Sequence, residues 1–163
     1  MISQQDYASW VAQNFSQQNI LLNQDTLAGV SITVAYRRKF NILFLSQLKI
    51  LSLIGYFNNL TYENAVNFTQ AASEYSRSHT PGLPTGLQSG AFCFPVMVAQ
   101  HIDTAVIEYV TKQPKKKWAT LTMPVIYDLS NSSIYYYQGA PLWGAAFYPA
   151  LHQHVEDNFH FRG

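Results

Sequence analysis

The sequence predicts a single α+β domain over residues 1–163, a mixed sheet of about four strands in the order β-α-α-β-α-β-β with helices packed on it. Helices are also expected at both termini. Three observations predict this. Two apolar runs, 91–98 and 121–127, each hold Pro-Val near their centre and flank a helix-like segment. Val30, Ile32, Val34 and Tyr36 alternate with Ser31, Thr33 and Ala35, the pattern of a half-buried strand. Apolar residues recur at helical spacing near both ends, at Tyr7, Trp10, Val11 and Phe15 and again at Trp143, Phe147 and Leu151.

Taken in order, Ser3 is placed to cap the first helix, with Asp6 in its positive first turn. Residues 19–25 read as a connection and 27–36 as the first strand, closed by Arg37-Arg38-Lys39. Residues 40–57 are the most apolar stretch. They fall short of the roughly 20 apolar residues of a membrane span. Ser46, Lys49 and Ser52 stand three apart, which predicts a buried amphipathic helix with one polar arc. Thr61 caps a second helix running to His79, ended by Pro81, and the two helices are expected as an antiparallel hairpin. Residues 80–90 carry Gly82, Gly86 and Gly90, but follow a helix and lead into a strand. That is the wrong context for a phosphate loop, so a turn is expected.

The strand at 91–98 is apolar on both faces and should lie at the sheet centre. Pro95 within it requires a bulge or an unpaired side. Asp103 opens a helix that Gln113-Pro114 stops. Pro95 and Pro124 are 29 residues apart (124 − 95) with that helix between them, the size of a parallel strand-helix-strand crossover. Residues 129–132 read as a turn and 134–137 as a returning hairpin strand. Pro149 suits only a first turn, so the last helix should become regular near Tyr148, and residues 159–163 should fray.

Composition limits the function classes. Only 12% of residues are charged, about half the usual share. Aromatics make up 15%, with 11 Tyr and 10 Phe. A surface poor in charge and rich in tyrosine resembles an interface core, which predicts self-association, most simply as a two-fold dimer, and a protein partner. The net charge of +1 gives no global field for nucleic acid or anionic membrane. The lone Cys93 excludes an internal disulfide, and the first residues lack the features of a secretory signal. A cytoplasmic setting is expected, and the sequons at Asn14, Asn59, Asn67 and Asn131 follow from an Asn- and Ser-rich composition.

Candidate reactive groups are few. Cys93 lies between two Phe and reads as a structural thiol. His152, His154, Glu156, Asp157 and His160 form the densest cluster, with Asp128 as a further acid. On a helix His152 and Glu156 share one face and His154 and Asp157 another. The faces diverge, unlike a His-Glu-x-x-His zinc site. A metal-dependent hydrolase built on this cluster is the alternative function. His101 and Asp103 read as helix-entry residues. Lys112, Lys115, Lys116 and Lys117 with Trp118 are the one charge run, suited to phosphate contact with base stacking, although one patch on a neutral chain argues against nucleic acid. Tyr135, Tyr136, Tyr137, Trp143 and Tyr148 are the candidate ligand or partner surface. No cofactor and no membrane contact are expected. The leading expectation is a non-enzymatic interaction or regulatory module.

Overall fold

The structure, a computed structural model, describes residues 1–41, 46–79, 89–112, 116–117, 120–140 and 147–162. Backbone alone is described for 39–41, 46–48, 89–90, 116–117 and 120. The elements run α1 (Gln4–Gln17), β1 (Leu22–Leu27), β2 (Val30–Asn41), β3 (Ser46–Leu60), α2 (Tyr62–His79), β4 (Ser89–Ile102), α3 (Thr104–Thr111), β5 (Lys116–Lys117), β6 (Thr120–Thr122), β7 (Val125–Asp128), β8 (Ser133–Tyr135) and α4 (Tyr148–Phe159). The mixed α+β class holds. The sheet is larger than the four strands expected, with eight segments in the order β1-β2-β3-β4-β6-β5, and β7 and β8 continuing beside β4.

Alternation along the central strands builds two cores. Ile50 and Ile54 of β3, and Phe92, Phe94, Val96 and Val98 of β4, face one side, where Tyr7, Val11 and Phe15 of α1 and Leu151, Val155 and Phe159 of α4 cover them. Leu51, Leu53 and Phe57, with Cys93, Met97 and Ala99, face the other, under Ala65, Phe68 and Ala72 of α2 and Val106 and Val110 of α3. Strands buried on both faces have no polar side to display.

This explains the largest correction. Residues 46–60 form β3 and not a helix, antiparallel to β2 and parallel to β4. Lys49 and Ser52 are 5% and 1% exposed, so their spacing marks no wet arc. The expected helix hairpin is replaced by a β2–β3 hairpin followed by the crossover β3-α2-β4. Residues 22–27 are also a strand, where a connection was expected. Leu27 pairs with Val30 across a two-residue turn in which Ala28 and Gly29 have φ of 50° and 77°. Those left-handed values define a type I′ turn, whose twist suits a hairpin.

The second crossover was legible. β4 is parallel to β6 and β7 at one constant offset, Cys93 with Thr122 and Val96 with Val125, each 29 residues on (122 − 93; 125 − 96). The Met123 N–H donates to the Cys93 carbonyl and the Leu129 N–H to the Ala99 carbonyl, both at 2.9 Å. Odd residues of β4 therefore turn their backbone groups toward β6 and β7. Pro95 is among them. The same offset puts Pro124 beside it, in the break between β6 and β7. Met123 and Leu129 turn their N–H groups to β4, so Pro124 turns its nitrogen to the opposite side, and the break leaves the missing donor of Pro95 without a ladder partner to fail.

The helix ends follow local chemistry. Ser3 Oγ accepts from the Asp6 N–H at 3.0 Å, as expected. Thr61 Oγ1 accepts from the Asn64 N–H at 3.3 Å. Asp103 sits at the N-cap of α3 without a side-chain cap bond. α4 begins at Tyr148 with Pro149 in its first turn. Residues 159–162 are held and do not fray: Phe159 is fully buried, and its carbonyl accepts from Tyr7 Oη at 2.7 Å, while Gly163 lies outside the described residues. The Gly-rich stretch 80–88 lies outside the described residues.

Ala28 carries a Cβ in a left-handed conformation that Asn adopts more readily. Ala28→Asn should raise stability by about 0.5–1 kcal/mol, read by urea denaturation with unchanged slope. A loss of stability would mean that the turn is not type I′.

Candidate functional site

α4 carries the histidine and acid cluster, and its docking decides what each side chain meets. His154 turns inward, 7% exposed, with its ring 4.9 Å from that of Phe94 and 5.6 Å from that of Phe159. Its Nε2 lies 3.3 Å from Ser52 Oγ and its Nδ1 3.2 Å from Asn158 Nδ2. A chain of donors fixes the proton. Arg37 Nη1, which can only donate, bonds Gln18 Oε1 at 3.0 Å. Gln18 Nε2 then donates to Asn158 Oδ1 at 2.7 Å, leaving Asn158 Nδ2 as donor to His154 Nδ1 and to the His154 carbonyl. An Nδ1 that accepts places the hydrogen on Nε2, where it points at Ser52 Oγ. Ser52 and His154 therefore do not form a nucleophile–base pair, which would need the proton to pass from Oγ to Nε2.

Glu156 faces the opposite flank. Its Oε1 accepts from Tyr136 Oη at 2.7 Å. Its Oε2 accepts from His160 Nδ1 at 2.6 Å and from Arg162 Nη2 at 2.7 Å. Burial works against ionisation of Glu156, but the hydrogen bonds from His160, Tyr136 and Arg162 together outweigh it and hold the carboxyl below its ordinary range. Asp157 Oδ1 accepts from Gln153 Nε2 at 2.6 Å. His152 lies against the rings of Tyr136 and Tyr148, and its buried Nε2 has no hydrogen-bond partner. Asp128 Oδ1 accepts from the Ser130 N–H and Oγ, at the far end of β7 from this cluster's helix contacts. Among the described residues no three His, Cys, Asp or Glu side chains come together as a metal site.

The tyrosines are mostly interior. Tyr136 and Tyr148 are 5% and 2% exposed. Tyr137 packs edge-on against Tyr148 in the α1/α4 core, and Tyr135 packs at the margin of the α2/α3 core. Trp143 lies outside the described residues. Burial pushes the Tyr136 hydroxyl pKa well up, and its bond to Glu156 adds to the shift. Cys93 is fully buried, donates to the Ala72 carbonyl at 3.5 Å, and burial pushes its thiol up to about 12, far from a reactive thiolate. Lys116 and Lys117 form β5, a two-residue segment paired with β6, while Lys115 and Trp118 lie outside the described residues.

Sequence reasoning missed two features of the surface. A cleft of about 380 Å³ opens at the C-terminal ends of β3, β4 and β7, lined by Ile2, Ser3, Phe57, Asn58, Gln100 and Leu129. That end of a parallel sheet is where ligands commonly bind, but these walls bring no charged side chain. The other feature is the β1 edge. β1 pairs with β2 alone among the described strands, and residues 23–26 are exposed. Leu21, just before it, is 85% exposed, and only Met1 and Tyr62 share that standing among the described large apolar residues.

No protein-family model matches this chain, no curated protein resembles it in sequence, and no solved structure matches its fold. Among the described residues no helix is long and apolar enough to cross a membrane.

The Glu156 contacts yield a pH prediction. A carboxyl held below its unfolded value contributes stability that is present above the ordinary carboxylate range and disappears as pH falls through the folded value. Wild type should therefore melt above Glu156→Gln at pH 7, and the gap should close below about pH 4. A gap that does not change with pH would show that the carboxylate charge contributes nothing.

Proposed function

We propose that this chain is a non-enzymatic interaction or regulatory module that works by self-association. The observation that carries the reading is the place of one exposed apolar side chain among the described residues: Leu21 stands 85% exposed at the head of an open, six-residue edge strand. Low charge supports it, because 12% charged residues leave little like-charge repulsion between copies. Among the described rings expected on the surface, Tyr136 and Tyr148 are buried and Tyr135 and Tyr137 pack against the two cores, which favours a contact of backbone edge and aliphatic side chain over an aromatic shelf.

The commitment of the candidate reactive groups points the same way. Cys93 is buried, His154 is bonded at both ring nitrogens, and Glu156 accepts from three side chains. Turnover requires a group free to exchange a proton or attack a substrate. A metal-dependent hydrolase on α4 would need His154, Glu156 and Asp157 to leave their present hydrogen-bond partners and converge with His152, whose buried Nε2 has none. A phosphate-binding role through the lysine run would rest on the short β5 edge.

Sedimentation velocity across a concentration series tests the proposal. The expected result is a reversible monomer–dimer equilibrium between micromolar and millimolar concentration. A strict monomer throughout, or stoichiometric zinc in protein purified without a histidine tag, would contradict it.

A further inference from the structure

We propose that β1 is the self-association surface: it pairs antiparallel with β1 of a second copy about a two-fold axis at Gln24, joining two sheets into one. This rests on the self-association reading above and names the contact that makes it.

The hairpin fixes which backbone groups are available. A two-residue turn makes Leu27 and Val30 a hydrogen-bonded pair, so Asn23, Asp25 and Leu27 direct their N–H and C=O groups to β2. Leu22, Gln24 and Thr26 direct theirs outward. The side-chain bond between Gln24 Nε2 and Thr33 Oγ1, 3.1 Å, fits that assignment, since side chains approach most closely at non-hydrogen-bonded pairs. The exposed side chains at 23–26 leave this edge in water.

Natural edge strands are usually blunted by lysine, proline, bulges or shortness. The opposite side of this sheet follows that rule, with β5 two lysines long and β8 three residues long. β1 has none of those protections. It has six residues, no lysine, no proline and an uninterrupted register with β2.

The segment is also complementary to itself. Centred on Gln24, an antiparallel pair sets Leu22 against Thr26 and Asn23 against Asp25 of the second copy, so the one acid meets an amide and never its own twin. One residue further, the exposed Leu21 meets Leu27, which is 8% exposed at the margin of the α2/α3 core. Each Leu22 N–H reaches a Thr26 carbonyl, and each Gln24 N–H the Gln24 carbonyl of the other copy. The Thr26 N–H is held by Asp25 Oδ1 at 2.7 Å and joins the ladder on release. A second copy is thus the occupant that this sequence matches. The strand alone buries less than the roughly 1,200 Å² of a standard interface, which makes the dimer weak and concentration-dependent.

The test uses Gln24→Pro and Leu21→Glu in the full chain, by sedimentation equilibrium and thermal melting. Proline at 24 removes an outward N–H and spares the β2 ladder. Leu21→Glu should keep the wild-type melting temperature of the monomer, and Gln24→Pro should fold with the small loss of stability expected from its exposed side-chain bond to Thr33. Both should raise the dimer dissociation constant by about tenfold or more. If wild type dimerises and folded Gln24→Pro and Leu21→Glu dimerise equally well, the edge assignment is overturned and self-association through another face stands. A wild-type chain that stays monomeric to millimolar concentration overturns both. Should Gln24→Pro fail to fold, Leu21→Glu decides alone, because Leu21 is already in solvent and its change leaves the monomer intact.

Discussion

Burial of β3 and β4 on both faces is the constraint from which the other elements take their places. The two strands pair in parallel at one offset from Gln47–Ser89 to Leu60–Ile102, and Leu53, Ile54, Val96, Met97 and Val98 are without solvent exposure. Two sides to cover require helices on both. α2 and α3, the crossover helices, take one side, and α1 and α4, the terminal helices, take the other. The prolines show the relative weight of the forces. A ladder hydrogen bond contributes about 1 kcal/mol net, while full burial of a Val or Phe contributes about 1.5–3 kcal/mol. The missing donor of Pro95 is therefore tolerated at the centre of the sheet, because Phe94, Val96 and Val125 around it are buried completely.

The same constraint explains what the sequence disclosed. Helices with one wet face were legible from spacing: α1, α2 and α3 fall where Tyr7–Phe15, Thr61–His79 and Asp103 placed them. The parallel crossover was legible because Pro95 and Pro124 mark its offset. β3 was not, because a strand buried on both sides has no period of two to detect, and Ser46, Lys49 and Ser52 happen to stand at helical spacing. β1 was hidden for the opposite reason. Its middle is polar on both faces, and its turn uses Ala28 where Asn or Gly would have announced a hairpin.

The α4 cluster was visible as residue types but not as partners. Spacing alone set His154 beside Asp157. In the fold His154 turns to Ser52, 102 positions away, and to Asn158 one turn on, while the proton is assigned by a relay that begins at Arg37. Buried polar groups take whichever partner desolvation leaves them, and that partner is set by tertiary docking. Glu156 likewise anchors His160 and Arg162, so the tail expected to fray as a chain terminus is tied to the last helix.

Residue-resolved amide hydrogen exchange addresses the central constraint most directly. Two-sided burial predicts that amides of residues 50–56 in β3 and of 92–94 and 96–98 in β4 exchange last and together, in one cooperative opening, well after those of α3. Exchange of residues 50–56 on the timescale of the exposed residues 23–26, or protection in 50–56 that repeats with a helical period, would contradict it.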